Sequence, residues 1–273
     1  MQEPFRKKKK YGQNFLIGNT VVKRIVAGSG IDADCGVLEI GPGAGALTRE
    51  LLSAAKRVVS VEIDGELIPI LENCFGNDSR FTLIHGDILK TDVSALLREH
   101  FAGMPVCVCA NLPYYITTDV LTKLMRELPQ AKSIAVMIQK EVGDKLLSGP
   151  GDDGYGSLAV MCQYRYHVMR ALDVPAACFN PPPKVDSSFM VLEKLEQPRV
   201  NAGDEEIFTR LVRSAFAMRR KTLLNNLVSG FSLNREQAAA CLAAANLSAQ
   251  ARAEELSLED FAGLAIQLQN TIR

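Results

Sequence analysis

Five short runs in the first half of the chain are rich in apolar residues: GVLEIG (36–41), RVVSVEID (57–64), FTLIHGD (81–87), VCVCAN (106–111) and SIAVMIQ (133–139). Between them apolar positions recur at helical spacing, as in ALTRELLSAA (46–55) and ELIPILENCF (66–75). Val- and Ile-rich runs separated by amphipathic helices predict a parallel sheet covered on both faces. Two further strands are expected around 164–174 and 187–195. Beyond QPR (197–199) the pattern turns wholly helical, through Ile207, Leu211 and Ala215 and, past a break, Leu223 and Leu227. Asn234 with Gln237, and Ser257 with Asp260, have the spacing of capping boxes. The chain is therefore read as α/β: residues 1–198 form a sheet domain with a basic N-terminal arm, and 199–273 a small all-helical domain. Two loops stand apart, SGPGDDGYG (148–156) and FNPPPK (179–184), the second too proline-rich for a helix or a central strand.

Charge changes this picture only through its distribution. Lys+Arg and Asp+Glu both number 31, so the net charge is zero. Residues 1–10 nevertheless carry five basic side chains (Arg6, Lys7, Lys8, Lys9, Lys10) against Glu3, and 199–235 carry seven against three acids. The segment 36–100 compensates with ten acids and six bases. Two basic stretches flanking an acidic middle suit contact with a polyanion, because local field governs the encounter. No apolar run approaches the roughly 20 residues of a membrane span, and no apolar stretch follows the charged start as a signal peptide requires. Seven cysteines at irregular spacing and three scattered histidines (His85, His100, His167) offer no metal cluster or disulfide framework. Reduced thiols in a cytoplasmic protein are expected.

The first candidate site follows the first strand. EIGPGAGALT places Gly41, Gly43 and Gly45 between strand and helix, where glycine lets a ligand approach the backbone. The spacing is G-x-G-x-G, neither the dinucleotide G-x-G-x-x-G nor a P-loop. Glu62 ends the second strand about 20 residues on, where an acid reaches ribose hydroxyls. Asp87 ends the third strand and Asn111 the fourth. Polar groups at the carboxyl ends of four successive strands mark the ligand crevice of an open α/β sheet. To this point a dinucleotide and S-adenosylmethionine are equally compatible.

ANLPYYIT (110–117) separates them. An exocyclic amine on a base is a poor nucleophile, because its lone pair is delocalised into the ring. Two acceptors on its hydrogens would hold it and favour tetrahedral geometry at nitrogen. Asn111 has a side-chain carbonyl; Pro113 restricts Leu112 to extended angles that can turn its backbone carbonyl outward. Tyr114 offers a flat face for a base. Phe179, held by three prolines, is expected to be the second wall of a clamp on that base.

KKYGQNFL (9–16), LEIGPGAGALT (38–48), VEID (61–64), GDIL (86–89), ANLPYYIT and FNPPPKVDSSF (179–189), in this order, resemble the ribosomal RNA adenine dimethyltransferase family, the small-subunit enzymes most closely. The likeness covers nearly the whole chain. It implies a Rossmann-like class I methyltransferase sheet with a small C-terminal helical domain, and S-adenosylmethionine as donor. It implies two methyls on N6 of each of two adjacent adenines near the 3′ end of 16S rRNA, in the assembling small ribosomal subunit. By position Asn14 and Leu16 would touch the cofactor. Gly41 would lie against its methionine part, Glu62 would bind the ribose and Asp87 the adenine amine. Gly43, Ile63 and Ile88 adjoin these and complete the cofactor set; Asn111 would lie between cofactor and target. RNA contacts are expected from Arg6, Lys7, Lys8, Lys9 and Lys10 and from Arg213, Arg219, Arg220 and Lys221 around the helix break. A monomer without metal or membrane contact is expected. Rival expectations are a large-subunit rRNA methyltransferase, a non-catalytic ribosome assembly factor of the same fold, and an N-methyltransferase acting on DNA or glutamine.

Overall fold

The structure, a computed structural model, describes residues 13–272. Nine strands form: β1 (Phe15–Leu16), β2 (Gly36–Ile40), β3 (Arg57–Glu62), β4 (Phe81–His85), β5 (Val106–Asn111), β6 (Ser133–Gln139), β7 (Tyr166–Val174), β8 (Phe179–Asn180) and β9 (Ser187–Lys194). Seven make one sheet in the order β4-β3-β2-β5-β6-β9-β7, while β1 and β8 pair by themselves. The contacts β2–β3, β2–β5, β3–β4 and β5–β6 are parallel and β6–β9 is antiparallel. The expected parallel sheet is thus present, extended by β9, antiparallel to β6, and by β7 beyond it. Helices cover both faces, so the central strands lose the alternation of a half-exposed sheet: every residue of β2 is buried. Val37, Leu38, Val58, Val59 and Val108 have no exposed surface, and each stabilises the fold by about 1.5–3 kcal/mol.

The strand order carries a functional consequence. The chain runs outward from β2 through β3 to β4, then returns to the other side of β2 as β5. The carboxyl ends of β2 and β5 therefore lie side by side where the order reverses, with Ile40 paired to Ala110. Ligands of open α/β sheets bind in the crevice at such a reversal. The glycine turn after β2 and Asn111 at the end of β5 flank it.

The chain divides into two compact units. Among the described residues the first takes 13–143 together with 169–194; the second takes 144–168 together with 195–272. The division is not the single cut at 198/199 drawn from the sequence, because residues 144–168 pack with the helical unit. Tyr155, Val160 and Tyr164 share one core with Phe208, Leu211, Leu227 and Phe261. The rings of Tyr164 and Phe208 lie 4.2 Å apart, and the Tyr155 hydroxyl donates to the Leu256 carbonyl at 3.0 Å. Within this unit the expected break separates the helices Glu205–Ala215 and Leu223–Phe231. Both capping boxes form: Asn234 Oδ1 accepts from the Gln237 N–H at 2.8 Å, and Ser257 Oγ from the Asp260 N–H at 3.1 Å.

Candidate active site

A cavity of about 220 Å³ opens at the carboxyl edge of β2, β3 and β5. Asn14, Leu16, Gly41, Gly43, Glu62, Ile63, Asp87, Ile88, Asn111, Leu112, Pro113 and Tyr114 all line it. Residues from separated stretches of sequence thus meet in one place, because parallel strands bring their ends to one edge.

Local geometry fits a ligand at each side. Gly41 has φ +67° and a Cβ there would meet nothing within 4 Å. The turn needs a left-handed residue, and among the described residues no atom fills the space beside it. Gly43 has φ +60°, and its Cβ would fall 2.8 Å from the Phe15 ring; here glycine admits the N-terminal segment. Glu62 is 3% exposed. Its Oε2 accepts from the Gly43 N–H at 3.1 Å and Oε1 from the Asp64 N–H at 2.8 Å. Burial raises its pKa and these backbone bonds oppose the rise. Asp87 Oδ1 takes the Leu89 N–H at 3.0 Å.

Asn111 stands at the end of β5, in the wall of the cavity. Its Nδ2 donates to the Asn14 carbonyl at 2.9 Å. A backbone carbonyl can only accept, so the amide must present nitrogen to Asn14, which leaves Oδ1 without a partner among the described residues. The Leu112 N–H donates to the Met137 carbonyl at 3.2 Å, and its own carbonyl accepts no hydrogen bond among the described residues. Two adjacent acceptors are therefore unspent at residues lining the cavity. Tyr114 is fixed by a 2.8 Å hydrogen bond between its hydroxyl and Ser187 Oγ.

The sequence model of ribosomal RNA adenine dimethylases matches residues 4–270. The chain belongs to the ribosomal RNA adenine dimethylase family. Curated relatives include "Ribosomal RNA small subunit methyltransferase A" of Clostridium acetobutylicum, 44% identical over 97% of this chain and 94% of that protein. The Bacillus mycoides protein of the same name is 45% identical over 96% and 91%. Among solved structures, a dimethyladenosine transferase from Plasmodium falciparum superposes with a TM-score of 0.77 at 25% identity, covering 94% of this chain and 98% of that one. The 23S rRNA methyltransferase ErmE gives 0.69 at 25% identity, covering 94% and 100%.

In this adenine dimethylase one expected site residue lies elsewhere. Phe179 is 2% exposed and packs in the core with Leu16, Val174 and Phe189. It does not line the cavity. The cause is β8: Phe179 pairs with Leu16 of β1, and its side of the ribbon faces the core, where burying a large ring is strongly favourable. The proline-rich element reaches the site instead through Ser187, the partner of Tyr114. The basic arm, Arg6 and Lys7 to Lys10, lies outside the described residues. Arg213, Arg219, Arg220 and Lys221 are exposed in and beside the turn between two helices of the second unit, with no ion-pair partner among the described residues. Among the described residues no group of three or more His, Cys, Asp and Glu could hold a metal, and no helix is long and apolar enough to cross a membrane.

Sequence reasoning missed Gln13, Asp64, Ser187 and Glu39, whose partners lie far away in the chain. Glu39, fully buried in β2, accepts from Ser60 Oγ at 2.6 Å and Thr48 Oγ1 at 2.8 Å, both on Oε2. Its Oε1 is buried without a partner among the described residues. Desolvation outweighs the two hydroxyls and pushes its pKa up to about 7 from 4.5. The folded chain thus holds this proton more tightly than the unfolded chain, and stability falls as pH rises from about 4.5 to 7. The shift corresponds to about 3 kcal/mol. Glu39→Gln should remove this slope. Urea unfolding of both proteins between pH 4.5 and 8 checks it, and parallel stability curves would contradict the assignment.

Proposed function

We propose that this chain transfers methyl groups from S-adenosylmethionine to N6 of two adjacent adenines near the 3′ end of small-subunit rRNA. The observation that carries this reading is the Asn111 carboxamide, whose nitrogen is engaged by Asn14 and whose oxygen is left for a donor in the cavity. An adenine amine has two N–H groups to give. Asn111 Oδ1 and the Leu112 carbonyl accept them, which draws the nitrogen toward tetrahedral geometry and aims its lone pair. Tyr114, held by Ser187, is the surface on which the base stacks.

The remaining cavity residues suit the donor. Glu62, braced by two backbone N–H groups, takes a ribose diol, and Asp87 takes a purine amine. Ile63 and Ile88 supply apolar walls, and Gly41 and Gly43 allow close approach beside Asn14 and Leu16. S-adenosylmethionine, when bound, supplies a methyl group bonded to a positively charged sulfur. The target adenine must be unpaired or flipped out for its amine to enter. Exposed Arg213, Arg219, Arg220 and Lys221 suit contacts with rRNA phosphates, which position without reading sequence.

The likeness to ErmE makes large-subunit rRNA the second candidate substrate. Small-subunit rRNA is favoured by relatives 44–45% identical that carry the small-subunit name. Labelled cofactor offered with unmethylated small subunits, large subunits and naked DNA tests the choice, followed by mapping of the labelled nucleotide. Label on adjacent adenines of the small subunit is expected. Label confined to large subunits or DNA would overturn the reading.

A further inference from the structure

A run of hydrogen bonds passes around the cavity and ties the catalytic amide to the N-terminal segment. Starting at the glycine turn, the Gly43 N–H donates to Glu62 Oε2, and Glu62 Oε1 accepts from the Asp64 N–H. Asp64 is wholly buried. Its Oδ1 accepts from the Glu66 N–H at 3.2 Å and its Oδ2 from Gln13 Nε2 at 2.9 Å. Gln13 is bonded to Asn14, whose carbonyl takes Asn111 Nδ2. Residues 13–16 thus cross from the end of β3 to the end of β5, passing β2, where the Phe15 ring occupies the space a Cβ on Gly43 would need. Beyond this crossing Leu16 pairs with Phe179, and the Ile17 N–H donates to the Cys178 carbonyl at 2.8 Å.

We propose that residues 13–16 are a strap that sets the rotamer of Asn111, and that Gln13 and Asp64 are the positioning pair that anchors it. Among the described residues it is the Asn14 carbonyl that dictates which end of the Asn111 amide faces the cavity. Among the described residues that carbonyl sits on a short stretch held by the β1–β8 pair on one side and by the Gln13–Asp64 bond on the other. Releasing the second hold lets the carbonyl drift. The Asn111 amide then loses the partner that forbids its flip, and a flipped amide presents N–H groups to an amine that needs acceptors. Because Asn14 and Leu16 belong to the same strap, donor affinity and amide orientation are coupled through one element. Gln13 and Asp64 touch neither reacting atom; they act through the main chain of residue 14.

This inference rests on the reading of Asn111 given above, and the chemistry of the pair provides the test. Gln13→Glu sets a carboxylate against the buried Asp64 carboxylate. It should lower kcat on unmethylated small subunits about 10- to 100-fold at saturating cofactor, as expected for loss of a charge-assisted bond. It should also weaken S-adenosylhomocysteine binding measured by calorimetry. Asp64→Asn should be tolerated: the new amide keeps its oxygen on the Glu66 N–H and turns its nitrogen toward residue 13, and Gln13 flips to accept. The exchanged pair Gln13→Glu with Asp64→Asn restores one donor and one acceptor, and should recover kcat to within a few-fold of the parent. A merely structural role would lower the melting temperature without this pattern of rescue. Unchanged kcat in Gln13→Glu, or a double variant as poor as the single one, would overturn the strap. Asn111→Ala measured alongside keeps the two claims separate. If it retains turnover, the reading of Asn111 fails; if it loses turnover while the strap variants do not, the strap alone fails.

Discussion

Asn111→Ala is expected to lower kcat on unmethylated small subunits by at least ~10²–10³-fold, the loss found when one preorganised polar contact to a reacting group is removed. Donor affinity should fall much less, because Glu62, Asp87 and the glycine turn remain. Asn111→Asp should be nearly as poor, although it keeps an acceptor in the cavity. Its second oxygen would face the Asn14 carbonyl now 2.9 Å from Nδ2, and two acceptors at that distance repel. The side chain must therefore move. Single-turnover rates with both variants, together with calorimetry of a cofactor analogue, separate the two effects. An Asn111→Ala protein that keeps more than about a tenth of the parent rate would remove the amide from the mechanism.

The second large effect falls on stability. Phe179→Ala deletes a ring from the core and should cost about 3–5 kcal/mol, a fall of about 6–20 °C in melting temperature. Phe179→Leu conserves most of the volume and should cost less than ~1.5 kcal/mol, with turnover within a few-fold of the parent. A wall of a base clamp would behave the other way: Leu would fold well and fail to turn over, since an aliphatic side chain offers no face for stacking. Thermal melts and kcat for the two variants decide between a core ring and a clamp.

The contrast between Asn111 and Phe179 shows what the sequence could carry. Strand ends were legible, because Val- and Ile-rich runs place Gly41, Glu62, Asp87 and Asn111 at one edge of a parallel sheet whatever the details of packing. The direction of Phe179 was not, since a two-residue strand before three prolines has no period from which to read a face. Gln13 and Asp64 were illegible for a different reason. They are 51 residues apart, and neither a glutamine nor an acid after a strand advertises a partner. Glu39 looks in sequence like one more acid; only the sheet around it shows that it is sealed in. The break at 216–222 and both capping boxes were readable because they depend on neighbours three or four positions away. The helix Ser157–Arg165 was illegible, and its apolar residues do not say which core they join.

That insertion has a consequence for how the protein is made. Tyr155, Val160 and Tyr164 leave the ribosome well ahead of Phe208, Leu227 and Phe261, which cover them. The nascent chain carries these apolar surfaces uncovered while β7 to β9 are synthesised, and the helical core closes only when the helix Leu258–Ile272 is complete. Its assembly is therefore a late event, and the interval before it is when this chain is most open to misassociation and to capture by chaperones.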